Sequence, residues 1–231
     1  MIISRGRRYI FVHIPKTGGT SLALALEGRA MKDDILIGDT PKARRRRKRL
    51  KGVRSAGRLW KHSRLTDIYG LVAPDEIQRF FVFTLVRNPW DRLVSYYHWL
   101  RAQEFEHPAV AIAKAHDFSA FLNHEHTCAT IRGAPYGHYV RDRSGKERCD
   151  LFIRLEHLPE DMAPLERHLG FRIGPLGRVN ASDRPADYRA CYSEADAALV
   201  ARICGADIAR FGYHFEDGPI PPDAACALRQ G

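Results

Sequence analysis

Apolar residues fall in short continuous runs, and polar, glycine-rich or helix-periodic stretches separate them. Tyr9 to Ile14 (YIFVHI), Phe80 to Val86 (FFVFTLV) and Leu151 to Leu155 (LFIRL) are rich in β-branched and aromatic residues. Largely apolar runs of this length predict buried strands. A helix pattern follows each run. Ser21 to Glu27 (SLALALE) consists of strong helix formers. Asn88 and Pro89 suit the cap and first position of a helix in which Leu93, Tyr96, Tyr97 and Leu100 recur at helical spacing. Pro159 opens a third helix, running to Leu169. A short helix is expected at Phe118–Asn123. Ser193 and Asp196 form a capping-box pattern ahead of EADAALVARIC. Strands alternating with helices predict an α/β fold with a central, mainly parallel sheet flanked by helices.

Two stretches lack this regularity, about Gly28–Tyr69 and Gln103–Glu147. The expected organisation is one domain over 1–217, with a basic insertion at about 38–58, a variable region at about 103–147 and a flexible tail at 218–231. The length of 231 residues supports a core of that size. With 45% hydrophobic and 28% charged residues, the chain is neither collagen, nor a disordered polymer, nor a disulfide knot. No run approaches the roughly 20 apolar residues of a membrane span. The first residues show no secretory-signal pattern. Five cysteines, odd in number and without a CxxC pair, give little support to structural zinc and fit reduced thiols in a cytoplasmic protein. A Cys128–Cys149 bridge stays open as the alternative.

The net charge of +10 changes meaning once it is localised. Lys42 to Lys51 carries eight basic residues and no acid, and the remainder holds 29 basic against 27 acidic residues. The tract, centred on Arg44, Arg45, Arg46 and Arg47, cannot join a core. It is expected as a mobile loop or exposed helix face, either merely solvated or able to hold an anionic polymer or a membrane surface.

Chemistry is concentrated at two strand ends. The loop PKTGGTS follows the first strand and opens the first helix. Gly18 and Gly19 allow backbone N–H groups to approach an anion, and the helix N-terminus faces it. Lys16 adds a charge, and Thr17, Thr20 and Ser21 add hydroxyl donors. This is a phosphate or sulfate site. It is not a Walker A loop, because Lys16 precedes the glycines and no apolar strand ends in a metal-binding Asp. At the end of the second strand, Arg87 offers a planar fork and Ser95, two helical turns on, a short donor; together they suit a second phosphate. Arg92 on the same helix reads equally as a surface ion-pair partner. Trp90, Tyr96, Tyr97 and Trp99 read as core or cleft wall.

HIPKTGGTSL and FTLVRNPWDRLVSYY resemble the paired cofactor signatures of sulfotransferases, closest to the family related to the heparan/uronyl 2-O-sulfotransferases, which has many bacterial members. The likeness continues through FIRLEHLPEDMAPLERHLG and RVNASDRPADYRACYSEADAALV, and is weak between about Gly28 and Gly57 and between Gln103 and Glu147. It implies a P-loop-like three-layer fold and a PAPS-dependent O-sulfotransferase, PAPS being 3′-phosphoadenosine 5′-phosphosulfate. Lys16, Thr17, Gly18, Gly19, Thr20 and Ser21 would then hold the 5′-phosphosulfate, and Arg87 and Ser95 the 3′-phosphate. WKHSRLTDI resembles the segment whose histidine is the family's proposed base, which maps to His62. His98, Asp67 and Glu104 are rival bases, and His13 reads as packed or supporting. Asn180 and Ser182 are nucleotide-contact candidates. The implied acceptor is a hydroxyl of a carbohydrate, glycolipid or similar molecule, met by the irregular stretches. Sulfuryl transfer of this kind requires no metal. The alternatives are a P-loop-like kinase and a nucleic-acid or anionic-surface binding module using the arginine tract.

Overall fold

The computed structural model of the chain describes residues 1–177 and 184–218. Five strands are formed: β1 (Ile2–Ser4), β2 (Tyr9–Val12), β3 (Ile35–Leu36), β4 (Phe81–Val86) and β5 (Leu151–Arg154). The helices are α1 (Gly19–Gly28), α2 (Pro41–Arg46), α3 (Pro74–Arg79), α4 (Pro89–Arg101), α5 (Pro108–Ala115), α6 (Phe118–Asn123), α7 (Glu125–Gly133), α8 (Leu158–Asp161), α9 (Ala163–Leu169), α10 (Glu194–Ile203) and α11 (Gly205–Phe211). These elements belong to two compact units, residues 1–86 with 136–177, and residues 87–135 with 184–218.

The first unit is built on one sheet of order β3-β1-β2-β4-β5. The three strands predicted from apolar runs form its parallel half, β2 and β4 inside the sheet and β5 at its edge, with Tyr9 opposite Phe81 and Phe83 opposite Leu151. The sheet is mixed because β1 runs antiparallel to both β2 and β3. Alternation along the strands sorts side chains into two cores, one on each face. Tyr9, Phe11, Phe83, Leu85 and Ile153 meet Leu22 and Leu26 of α1 and Leu165 and Leu169 of α9. Ile10, Val12 and Val82 meet Leu65, Ile68 and Ile77 on the other face. The result is three layers, as the apolar pattern predicts. Because β2 and β4 are parallel neighbours, their carboxyl ends lie side by side, where open α/β sheets bind ligands.

The third predicted helix is interrupted. Asp161 of α8 turns back to accept from the backbone N–H of Arg154 at 2.9 Å and from its guanidinium at 2.9 Å, and α9 starts afresh after Met162.

The second unit is helical. Asn88 caps α4 by accepting from Trp90 N–H at 3.1 Å, with Pro89 at the first position. Leu93, Tyr97 and Leu100 are buried, and α4 packs against α5, α6 and α10. Ser193 caps α10 by accepting from Asp196 N–H at 3.1 Å. Asp196 in turn accepts from Ser119 and Asn123.

Candidate active site

In the first unit the chain leaves β2 through His13 and Ile14 and turns at Pro15–Gly18 into α1. Two residues of the turn are left-handed, Lys16 at φ 65° and Gly18 at φ 80°. For Gly18 this costs little. For Lys16, a residue with a Cβ, the conformation is sparsely populated, and such geometry persists where surrounding structure enforces it. Thr17 supplies part of that enforcement: it is buried, and its hydroxyl donates to the Ile14 carbonyl at 2.9 Å. Thr17, predicted as an anion donor, therefore spends its single hydroxyl proton closing the turn.

The two glycines have separate jobs. A Cβ on Gly18 would meet Leu155 Cδ1 at 2.7 Å, and one on Gly19 would meet the His13 ring at 2.2 Å. Gly19 thus lets the first turn of α1 rest directly on an imidazole. No side chain caps α1, and its first turn holds no acid. A helix start without such a cap or acid suits an anion.

The imidazole beneath Gly19 leads to the candidate base. His13 stacks on Phe11 at 5.9 Å and meets the edge of the His62 ring at 4.7 Å. Burial, and then the fields of His62, Lys61 and Lys16, hold its pKa well below the ordinary histidine value, so His13 is neutral. His62 Nδ1 lies 2.8 Å from the His13 carbonyl oxygen. A carbonyl can only accept, so Nδ1 carries the proton and Nε2 carries the lone pair of the neutral ring. That is the tautomer a general base needs. Trp60 also meets this ring, edge-on at 5.0 Å. Sequence reasoning placed His13 as supporting, but nothing local revealed that it joins the glycine loop to His62.

Burial of a neutral histidine has a consequence for stability. The unfolded imidazole takes a proton near its ordinary value, whereas the folded one does so only at much lower pH. The unfolded state therefore binds more protons on acidification, and stability falls as pH drops below about 6.5. Thermal melts from pH 8 to pH 5 should show this decline, and His13→Phe should flatten it. An unchanged slope in that variant would mean that His13 is not the group responsible.

In the second unit, Arg87 is the first residue of its cluster. Its Nε and Nη2 donate to Asp91 Oδ2 at 2.8 and 2.6 Å, and Arg184 Nη1 donates to Asp91 Oδ1 at 2.6 Å. Asp91 is 3% exposed. One buried carboxylate thus fixes two guanidiniums while leaving the trio with a net positive charge, a cradle suited to a second anion. Ser95, buried one turn beyond Asp91 on α4, belongs to the same helix. Arg184 and Asp91 were not predicted. A buried acid four residues after a strand-end arginine was the signal for Asp91; Arg184 lies 93 residues further on and gave none.

Residues 1–169 match the family described as Sulfotransferase family, Sulfotransfer_2. The chain belongs to this sulfotransferase family. No curated relative matches it. A solved structure, that of mouse sulfotransferase SULT7A1 complexed with PAP, overlays with a TM-score of 0.45 at 13% identity, over 98% of this chain and 88% of that one. At that level of similarity it fixes no residue's role.

The remaining candidates of this sulfotransferase are distributed as follows. Asp67 is buried and engaged by Arg64, accepting from its backbone N–H at 2.8 Å and its guanidinium at 3.0 Å. Glu104 is exposed, and His98 lies on α4 with its ring against Tyr97. Asn180 and Ser182 lie outside the described residues, as do Cys226 and the tail from 219 onward. Among the described residues Cys128, Cys149, Cys191 and Cys204 are joined in no disulfide, so the Cys128–Cys149 bridge is not formed. No helix among the described residues is long and apolar enough to cross a membrane.

The Asp91 clamp makes its own prediction. Asp91→Ala leaves two largely buried guanidiniums without their shared counter-charge, and breaking such a pair costs about 3–5 kcal/mol. Denaturant melts should show that loss, with weaker PAP binding in whatever protein remains folded. A loss below about 1 kcal/mol would place the clamp effectively in solvent.

Proposed function

We propose that the protein transfers a sulfuryl group from PAPS to a hydroxyl of a carbohydrate, glycolipid or similar acceptor and releases adenosine 3′,5′-bisphosphate. The observation that carries this reading is the tautomer of His62, held by the carbonyl of His13, whose ring supports Gly19 of the anion loop. A base and an anion site built on one histidine are what transfer to a hydroxyl requires.

In this reading the acceptor oxygen attacks sulfur in line. Its proton passes to His62 Nε2, the bond between sulfur and the 5′-phosphate oxygen breaks, and the electron pair leaves on that oxygen. The transition state is loose, as in phosphoryl transfer, so positioning and charge stabilisation dominate. Lys16 and the N–H groups at the start of α1 neutralise the growing negative charge. Arg87, with Ser95 of α4, holds the 3′-phosphate, and Asp91, itself held by Arg184, keeps the Arg87 guanidinium in place. Nothing in these steps calls on a metal ion.

Incubation with radiolabelled PAPS and fractionated polysaccharides and lipids tests the reaction and identifies the acceptor class together. Calorimetric titration of PAP and of ATP with magnesium tests the donor. Tight ATP binding without PAP binding would replace this reading with that of a kinase.

A further inference from the structure

The arginine tract has a built form. Thr40 caps α2 by accepting from Ala43 N–H at 3.2 Å, and its hydroxyl faces the Glu27 carboxylate of α1 at 2.7 Å. Ala43 is buried, and the chain continues as a 3₁₀ turn over Arg47–Leu50, where Leu50 packs on the core. The tract is therefore an ordered shelf and not a loop.

Residues 40–66 contain twelve lysines and arginines and no carboxylate. Five of these cations are engaged internally. Lys42 and Arg49 donate to the carbonyls of Glu27 and Lys32. Arg46 donates to those of Met31 and Asp34 at 2.8 and 3.2 Å. Lys61 pairs with Asp39 and Arg64 with Asp67. Arg46, predicted as part of the binding surface, is thus a brace. The other seven, Arg44, Arg45, Arg47, Lys48, Lys51, Arg54 and Arg58, are exposed, and none forms an ion pair among the described residues.

Two large apolar side chains are exposed beside this shelf. Trp60, at 44%, carries the Arg58 guanidinium 5.8 Å from its ring centroid. Met31, at 39%, is the residue whose carbonyl Arg46 braces. Polar but uncharged side chains have little to offer a ligand: the hydroxyls of Thr40, Ser55 and Ser63 are spent on the Glu27 carboxylate, the Gly57 carbonyl at 2.8 Å and the Trp60 carbonyl at 2.8 Å, and Thr66 Oγ1 is buried. A linear polyanion is normally read with hydrogen-bonding side chains or interleaved aromatic stacks. An anionic bilayer needs only a dense cluster of cations and an amphipathic side chain at headgroup depth.

We propose that this shelf docks the protein reversibly on an anionic lipid bilayer, with Trp60 as the interfacial anchor. Because the Trp60 ring touches His62, docking brings the base to the headgroup layer, so the acceptor hydroxyl belongs to a lipid headgroup or a glycan tethered there. This last clause rests on the proposed sulfotransfer reaction; the docking does not.

Co-sedimentation of the full chain with phosphatidylcholine vesicles, with and without phosphatidylserine, is the test. Binding is expected only to the anionic vesicles, should weaken as salt rises, and should shift the tryptophan emission to the blue. Trp60→Phe should abolish most of that shift. The fourfold charge reversal Arg44→Glu, Arg45→Glu, Arg47→Glu, Lys48→Glu should lower partitioning at least about a hundredfold, with the thermal melt confirming folding. Trp60→Ala should lower vesicle partitioning several-fold while leaving binding to heparin or duplex DNA unchanged. Equal binding to neutral vesicles would overturn the proposal. So would heparin or DNA binding that displaces the protein from vesicles together with a silent Trp60→Ala, since the shelf would then be a polyanion site. Vesicle binding without any PAPS turnover would leave the docking standing and refute only the reaction.

Discussion

Replacing His62 by alanine is expected to lower turnover by about 10²–10⁴-fold, the usual contribution of a positioned general base, while PAP affinity stays within about twofold. The reason lies in what each partner of His62 sees. Its Nδ1 proton is committed to the backbone of residue 13, so the ring can serve the acceptor only through Nε2. A second variant separates chemistry from packing. In His62→Asn the side-chain amide can still donate to the His13 carbonyl, but no basic nitrogen remains. It should be as inactive as the alanine variant and melt closer to the wild-type temperature. Added imidazole should restore part of the activity of His62→Ala, whose vacated space lies beside Trp60. Full turnover of either variant with the true acceptor would assign the proton transfer to another group.

Loss of Lys16 is expected to be comparably severe, at least about tenfold in kcat. The ammonium group is valuable because charge on the leaving phosphate is greater in the transition state than in bound PAPS, so kcat should suffer more than PAPS affinity. The backbone provides an internal control. Lys16 is left-handed at φ 65°, a conformation that costs a residue with a Cβ roughly 1–2 kcal/mol. Lys16→Ala keeps that cost, whereas Lys16→Gly relieves it. The glycine variant should therefore be at least as stable as the alanine variant and equally slow. If Lys16→Gly retained wild-type turnover, the residue would be a turn former and nothing more.

The sequence pattern decided a good deal. The parallel strands β2, β4 and β5 were legible because each is a largely apolar run; β2 and β4 are buried on both faces, which demands that signal, and β5 at the edge carries it more weakly. The α1 and α4 starts were legible from local chemistry, glycines and hydroxyls in one case, Asn88–Pro89 in the other. Family membership followed from the same two stretches, since both are short and contiguous.

Only the tertiary structure decided the rest. The strands Ile2–Ser4 and Ile35–Leu36 are too short to announce themselves; they exist because Ile2 pairs with both Phe11 and Leu36. The basic tract read as loop or exposed helix face alike, because Arg and Lys favour helix but repel one another; the Thr40 cap and buried Ala43 settled it as an ordered shelf. Asp91 met Arg184, and His13 came to lie under Gly19 and against His62, through folding alone. Hydrophobic periodicity is a property of neighbours along the chain, whereas a hydrogen bond or ring contact between distant residues is a property of the packed core, and these contacts set the tautomer of His62 and the charge around Asp91.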